Sequence, residues 1–77
     1  MTPACAYRLG VRSALAEQRG DDAGKRALFG DVVREATRLQ RAGKRDAAEA
    51  LCWAYEDGAR DTEYKELRAD LAADLNH

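Results

Sequence analysis

Catalytic chemistry has little to work with in this chain. Its one histidine is the final residue, His77, and serine occurs once, as Ser13. No His, Cys and carboxylate group has the spacing of a metal site or of a nucleophile with its base. Enzyme activity, cofactor binding and metal binding are therefore not expected. Proline occurs only as Pro3 and there is no long β-branched run, so nothing favours strands. No apolar stretch approaches 18 residues, and 35% of the chain is charged, which argues against a membrane span. The opening Met1-Thr-Pro-Ala-Cys-Ala lacks a basic region followed by an apolar one, so no export signal is read and a cytoplasmic location is expected. Cys5 and Cys52 lie far apart and outside any motif; they read as buried free thiols rather than a disulfide.

What the sequence does contain is alanine, charge and regularly placed turns. Seventy-seven residues make a single domain, near the size at which a core barely offsets chain entropy. The net charge of −1 hides an asymmetry: residues 1–45 carry ten Lys/Arg against five Asp/Glu, whereas residues 56–77 carry three against seven. Such polarity orients a molecule on a charged partner, or lets its own helices attract one another.

Helical spacing and capping residues divide the chain into about four short helices, giving an all-α bundle. Thr2 caps the first and Pro3 fits its first position. Ala4, Tyr7, Val11, Ala14, Leu15 and Gln18 then share one face, with Gly10 off it, until Gly20 ends the helix. The second helix is expected over about 22–42 as one helix, bent at most at Gly30, because Leu28, Phe29, Val32, Val33, Ala36 and Leu39 keep phase across that glycine; the alternative is a break at Gly30 with Asp31 as a new cap. Gly43 supplies the left-handed position that closes it. Asp46 caps the third helix, whose buried face reads as Ala47, Ala50, Leu51, Ala54 and Tyr55, with Ala48 and Cys52 at its edge. Gly58 closes that helix, Asp61 or Thr62 caps the fourth, and Tyr64, Leu67, Leu71 and Leu75 form its apolar stripe. Asn76 and His77 are expected to fray.

Three features remain after the core is assigned. Trp53, the only tryptophan, falls out of phase with its helix and projects beside Glu49 and Glu56, where either another helix of the bundle folds over it or it stands as an aromatic anchor for a partner. Arg34, Arg38 and Arg41 recur on the face opposite the core, and Lys44 and Arg45 carry this basic patch into the turn. Glu63, Glu66, Asp70 and Asp74 line an acidic face on the fourth helix. Nucleic acid is disfavoured as a ligand, since no aromatic interleaves with the arginines and residues 46–57 present acids with no base. Tyr7, Tyr55 and Tyr64 read as core positions with a wet hydroxyl. A protein partner is the leading expectation, and a second copy of the chain is another, because so many apolar stripes are hard to bury in one small domain.

Leu39-Gln-Arg-Ala-Gly43-Lys-Arg-Asp-Ala47-Ala48-Glu-Ala-Leu51-Cys-Trp53-Ala54 resembles the signature of small ANR-type (AraC-negative-regulator) helical proteins and is also similar to half of a tetratricopeptide unit. It departs from the ANR pattern in placing Trp53 one residue late and in lacking the second Trp and the Phe-Cys end around Tyr64–Ala72. The resemblance implies a regulator that binds and restrains a transcription factor. At the level of class, a self-contained helical domain with segregated charge and an aromatic on a polar face is similar to phage-borne anti-CRISPR proteins. That likeness implies an inhibitor in the bacterial cytoplasm that covers a surface of a CRISPR–Cas effector subunit and blocks DNA recognition. No functional residues carry over from it.

Overall fold

The computed structural model describes residues 1–75, which form three helices in the order α1 (Pro3–Gln18), α2 (Asp22–Arg41) and α3 (Arg45–Leu75), with no strand among the described residues. The fold is all-helical. Three helices stand where about four were expected, because the anticipated third and fourth are one continuous α3 of 31 residues. Asn76 and His77 lie outside the described residues.

The ends of α1 and α2 are made by local chemistry. Thr2 accepts a hydrogen bond from the Cys5 N–H at 3.2 Å, and Pro3 holds the first helical position. Gly20 and Gly43 both adopt left-handed backbone, with φ of 73° and 78°. In each case the next N–H, of Asp21 or Lys44, reaches back 2.8 Å to the carbonyl of Ala16 or Leu39, the same helix-ending cap used twice. Asp21 caps α2 through the Gly24 N–H at 2.9 Å. α3 begins at Arg45, so Asp46 sits inside the first turn rather than at the cap, where its charge still complements the positive end of the helix.

Gly58 does not end a helix, because it brings two helices together. A Cβ placed on Gly58 would lie 2.1 Å from the Tyr7 carbonyl oxygen, and one on Gly10 would lie 2.0 Å from the Tyr55 carbonyl oxygen. Both glycines are buried, so α1 and α3 meet backbone to backbone at this crossing. The two helices run the same way: the Tyr7 hydroxyl donates to Asp61 at 2.7 Å, and further along both helices Gln18 donates to Glu66.

This crossing corrects the expected face of α1. Its buried residues are Ala6, Gly10, Ser13, Ala14 and Ala16, a run of small side chains centred roughly 120° around the helix from the expected stripe, with which it shares Ala14 alone. Tyr7 and Val11 are left half-buried, and Ala4, Leu15 and Gln18 exposed. Close approach selected the smallest residues rather than the largest apolar ones.

The remaining core joins Ala6 to Val32, Ala36 and Leu39 of α2 and to Ala48, Leu51 and Tyr55 of α3. α2 passes unbroken through Gly30, as expected. In α3 the buried face is Ala48, Leu51, Tyr55 and Gly58, so Ala48 is core rather than edge, while Ala47 and Ala50 are exposed. Ser13 is the buried polar residue, and its oxygen accepts the Tyr55 O–H at 2.7 Å. Cys5 is half-buried and Cys52 exposed; both are free thiols, but neither is the buried packing residue that was expected. Past Glu66, where α1 has ended, α3 projects on its own for about 13 Å at 1.5 Å per residue. The molecule is correspondingly elongated, 54 Å in its longest dimension.

Candidate functional site

Trp53 lies on the surface, 62% exposed. It borders a shallow groove of about 360 Å³ between α2 and α3, with Ala36, Gln40 and Ala48 as its floor and Glu49, Glu56 and Arg45 around it. The expected grouping of Trp53 with Glu49 and Glu56 is therefore present. Arg45 joins this group: its guanidinium donates to Glu49 at 3.1 Å, one turn along α3. It stands apart from the basic patch to which the sequence assigned it.

The rest of α3 extends this surface. At 100° per residue, Trp53, Tyr64, Leu67, Leu71 and Leu75 fall within one sector of the helix, roughly 180° from the buried sector of Leu51, Tyr55 and Gly58. Each of the five is more than half exposed. Tyr64 is thus not a core residue; it lies on this outer face with the Arg68 guanidinium 5.9 Å from its ring centroid. On the inward side the projecting segment carries only Ala69, Ala72 and Ala73 as apolar residues. The large apolar residues of the second half of α3 therefore do not continue the core. They face away from it.

The acidic residues divide. Glu66 turns toward α1 and accepts from Gln18. Glu63, Asp70 and Asp74 stay exposed beside the leucines, with Glu63 also reaching the edge of a second cavity.

The basic stripe is partly neutralised by its own helix. Arg34 pairs with Asp31, and Arg38 grips Glu35 through two nitrogens at 2.6 and 3.1 Å. The Met1 amino group approaches Glu35 as well, at 3.6 Å. The Arg38 hydrogen bonds, reinforced by the charges of Arg38 and the chain amino group, hold the Glu35 carboxyl below the usual carboxylate range against the opposing effect of desolvation. Arg41 lies with Arg34, Arg38, Thr37 and Val33 around a shallow depression on the outside of α2, and Lys44 is exposed in the turn. The basic and tryptophan surfaces remain separate.

A cavity of about 600 Å³, with no counterpart among the sequence expectations, opens between all three helices. Phe29 and Tyr55 form its aromatic wall, ring centroids 5.9 Å apart, with Ser13, Ala14 and Ala59 beneath and the Glu17–Lys25 ion pair at its lip. Phe29 falls in the apolar stripe of α2, yet it is 55% exposed at this cavity rather than packed in the core.

Among the described residues no His, Cys, Asp or Glu group is arranged to hold a metal ion, and no helix is long and apolar enough to cross a membrane. Compared with known proteins, the chain matches no family model, and no curated protein or solved structure is significantly similar to it.

Proposed function

We propose that this protein is a non-enzymatic binding protein, which acts by covering a surface of another protein in the manner of anti-CRISPR inhibitors of CRISPR–Cas effectors. The observation that carries the reading is the outer face of α3. A tryptophan, a tyrosine and three leucines stand exposed on a helix whose core face, from Ala48 to Gly58, lies on the opposite side. Tryptophan and tyrosine dominate binding hot spots, and an exposed apolar line with polar edges is what an interface presents before it closes. The acids beside that line suit a surface that itself binds nucleic acid, since such surfaces are basic. Occupying one would block DNA recognition without any chemistry.

The alternative of direct DNA binding through α2 has less support, because Arg34 and Arg38 already serve Asp31 and Glu35. The test is a target-DNA binding assay with a purified CRISPR effector complex. One equivalent of the protein is expected to abolish DNA binding, and Trp53→Ala to restore most of it. If the effector binds DNA unchanged at excess protein, and capture from host lysate returns no specific partner, the binding role is wrong. Recovery of a transcription factor instead moves the target to transcriptional regulation.

A further inference from the structure

We propose that the outer face of α3 is one half of a two-helix seam, and that its occupant is a basic amphipathic helix of the partner protein. This rests on the binding role above and specifies the chemistry of what is bound.

The first support is spacing. Starting at Trp53, residues Asp57, Arg60, Tyr64, Leu67, Leu71 and Leu75 follow at steps of four, three, four, three, four and four along the exposed side. That alternation is how one helix presents a line to another helix lying along it; a flat or sheet-like surface would not need it. From Trp53 to Leu75 the line runs about 33 Å at 1.5 Å per residue, long enough for six turns of a partner helix.

The second support is charge. Glu49, Glu56, Glu63 and Asp70 recur at seven-residue intervals along one edge of the line, the position from which a helix reaches across to its neighbour. Seven residues fall slightly short of two straight turns, so this edge drifts around α3 by about 20° per repeat, as the left-handed winding of paired helices requires. Glu49 is engaged by Arg45, but no described cation pairs with Glu56, Glu63 or Asp70. Three carboxylates stand ready for cations from outside.

The same pattern disfavours a second copy of this chain. Laid parallel, two copies would set Asp57 against Asp57 and Arg60 against Arg60 inside the seam. Laid antiparallel, they would set one acidic edge against the other. Like charges facing one another are how paired helices reject a wrong partner. The Asp57–Arg60 ion pair, 3.4 Å apart near the start of the line, instead offers a polar layer that fixes the register of a different helix.

Trp53 supplies the readout, being the only tryptophan. The protein is titrated with two tryptophan-free peptides of four heptads, both with leucine along the seam, one flanked by lysine and the other by glutamate. The lysine peptide is expected to shift Trp53 emission to the blue and saturate at one equivalent, weakening at least about tenfold from low to high salt; the glutamate peptide should do neither. Leu67→Glu with Leu71→Glu should abolish the response, and Glu56→Lys with Glu63→Lys and Asp70→Lys should transfer it to the glutamate peptide. All five positions are exposed, so loss of the fold does not explain a loss of binding; circular dichroism of each variant checks this. Equal binding of both peptides, or indifference to the leucine or charge substitutions, overturns the proposal. So does a dimer in light scattering that Leu67→Glu with Leu71→Glu dissociates, which gives the face to a second copy. A partner protein that the leucine variant still captures overturns the seam but leaves the binding role intact. Loss of every partner by the wild-type protein removes the binding role itself.

Discussion

The two sides of α3 invert the usual distribution of side chains. The inward side is built from alanine, glycine, Leu51 and Tyr55, and the outward side from Trp53, Tyr64, Leu67, Leu71 and Leu75. A helix that served only its own domain would place its largest apolar groups inward, where each removes the most surface from water. Here the inward side gains by closeness instead. Two glycines let backbones touch, and many short contacts replace a few bulky ones. The difference teaches that the residues packed in the fold occupy one side of the helix, leaving the large apolar residues of the other side free for the proposed binding role.

Substitutions on the two sides should separate accordingly. The largest effect is expected at the glycine crossing. Gly58→Val or Gly10→Val puts atoms where a carbonyl oxygen already stands, and α1 cannot close on α3; overpacking alone commonly costs about 1–3 kcal/mol, and a backbone clash leaves less room to adjust. Loss of the cooperative thermal transition in circular dichroism is the expected result. Next comes Leu51→Ala, which empties a site only 1% exposed and should cost about 2–5 kcal/mol in chemical denaturation. A loss below about 0.5 kcal/mol there would mean the inward side is not the core.

The smallest effect concerns Glu35, away from both faces. Its carboxyl titrates lower in the fold than in the unfolded chain, so its contribution is complete above the unfolded carboxylate value, about 4.3, and fades as pH falls through the folded value. Glu35→Gln should therefore lower the denaturation midpoint slightly near neutral pH, with the gap to wild type closing in acid. A gap that widens in acid would contradict the Arg38 pairing.

How much of this was legible beforehand differs by element. The extent of α2 was readable because its stripe has one phase and its ends carry Asp and Gly signals, but its burial was not: Val32, Ala36 and Leu39 are core, whereas Phe29 and Val33 are exposed. Gly43 was read correctly, since a left-handed cap depends on local backbone alone. Gly58 was misread as a terminator for the opposite reason. Whether a glycine ends a helix or admits a neighbour is decided by α1, some fifty residues away in sequence. The face of α1 failed for the same cause. Trp53 was correctly seen to be out of phase, but its alignment with Tyr64, Leu67 and Leu71 stayed hidden while the break at Gly58 was assumed, because phase is not shared between separate helices. The cavity walled by Phe29 and Tyr55 had no sequence signal at all.

The claim that the outer side of α3 is spare to the fold is open to one direct measurement. Urea denaturation of the wild type is compared with a variant carrying Trp53→Ala, Leu67→Ala and Leu71→Ala together. Exposed positions far from special features each change stability by no more than about 0.5 kcal/mol, so the two curves should differ by at most about 1.5 kcal/mol, with equal slopes. A loss of about 4 kcal/mol or more would show that these side chains hold the domain together, and would contradict the division of α3 into a folding side and a side spare to the fold.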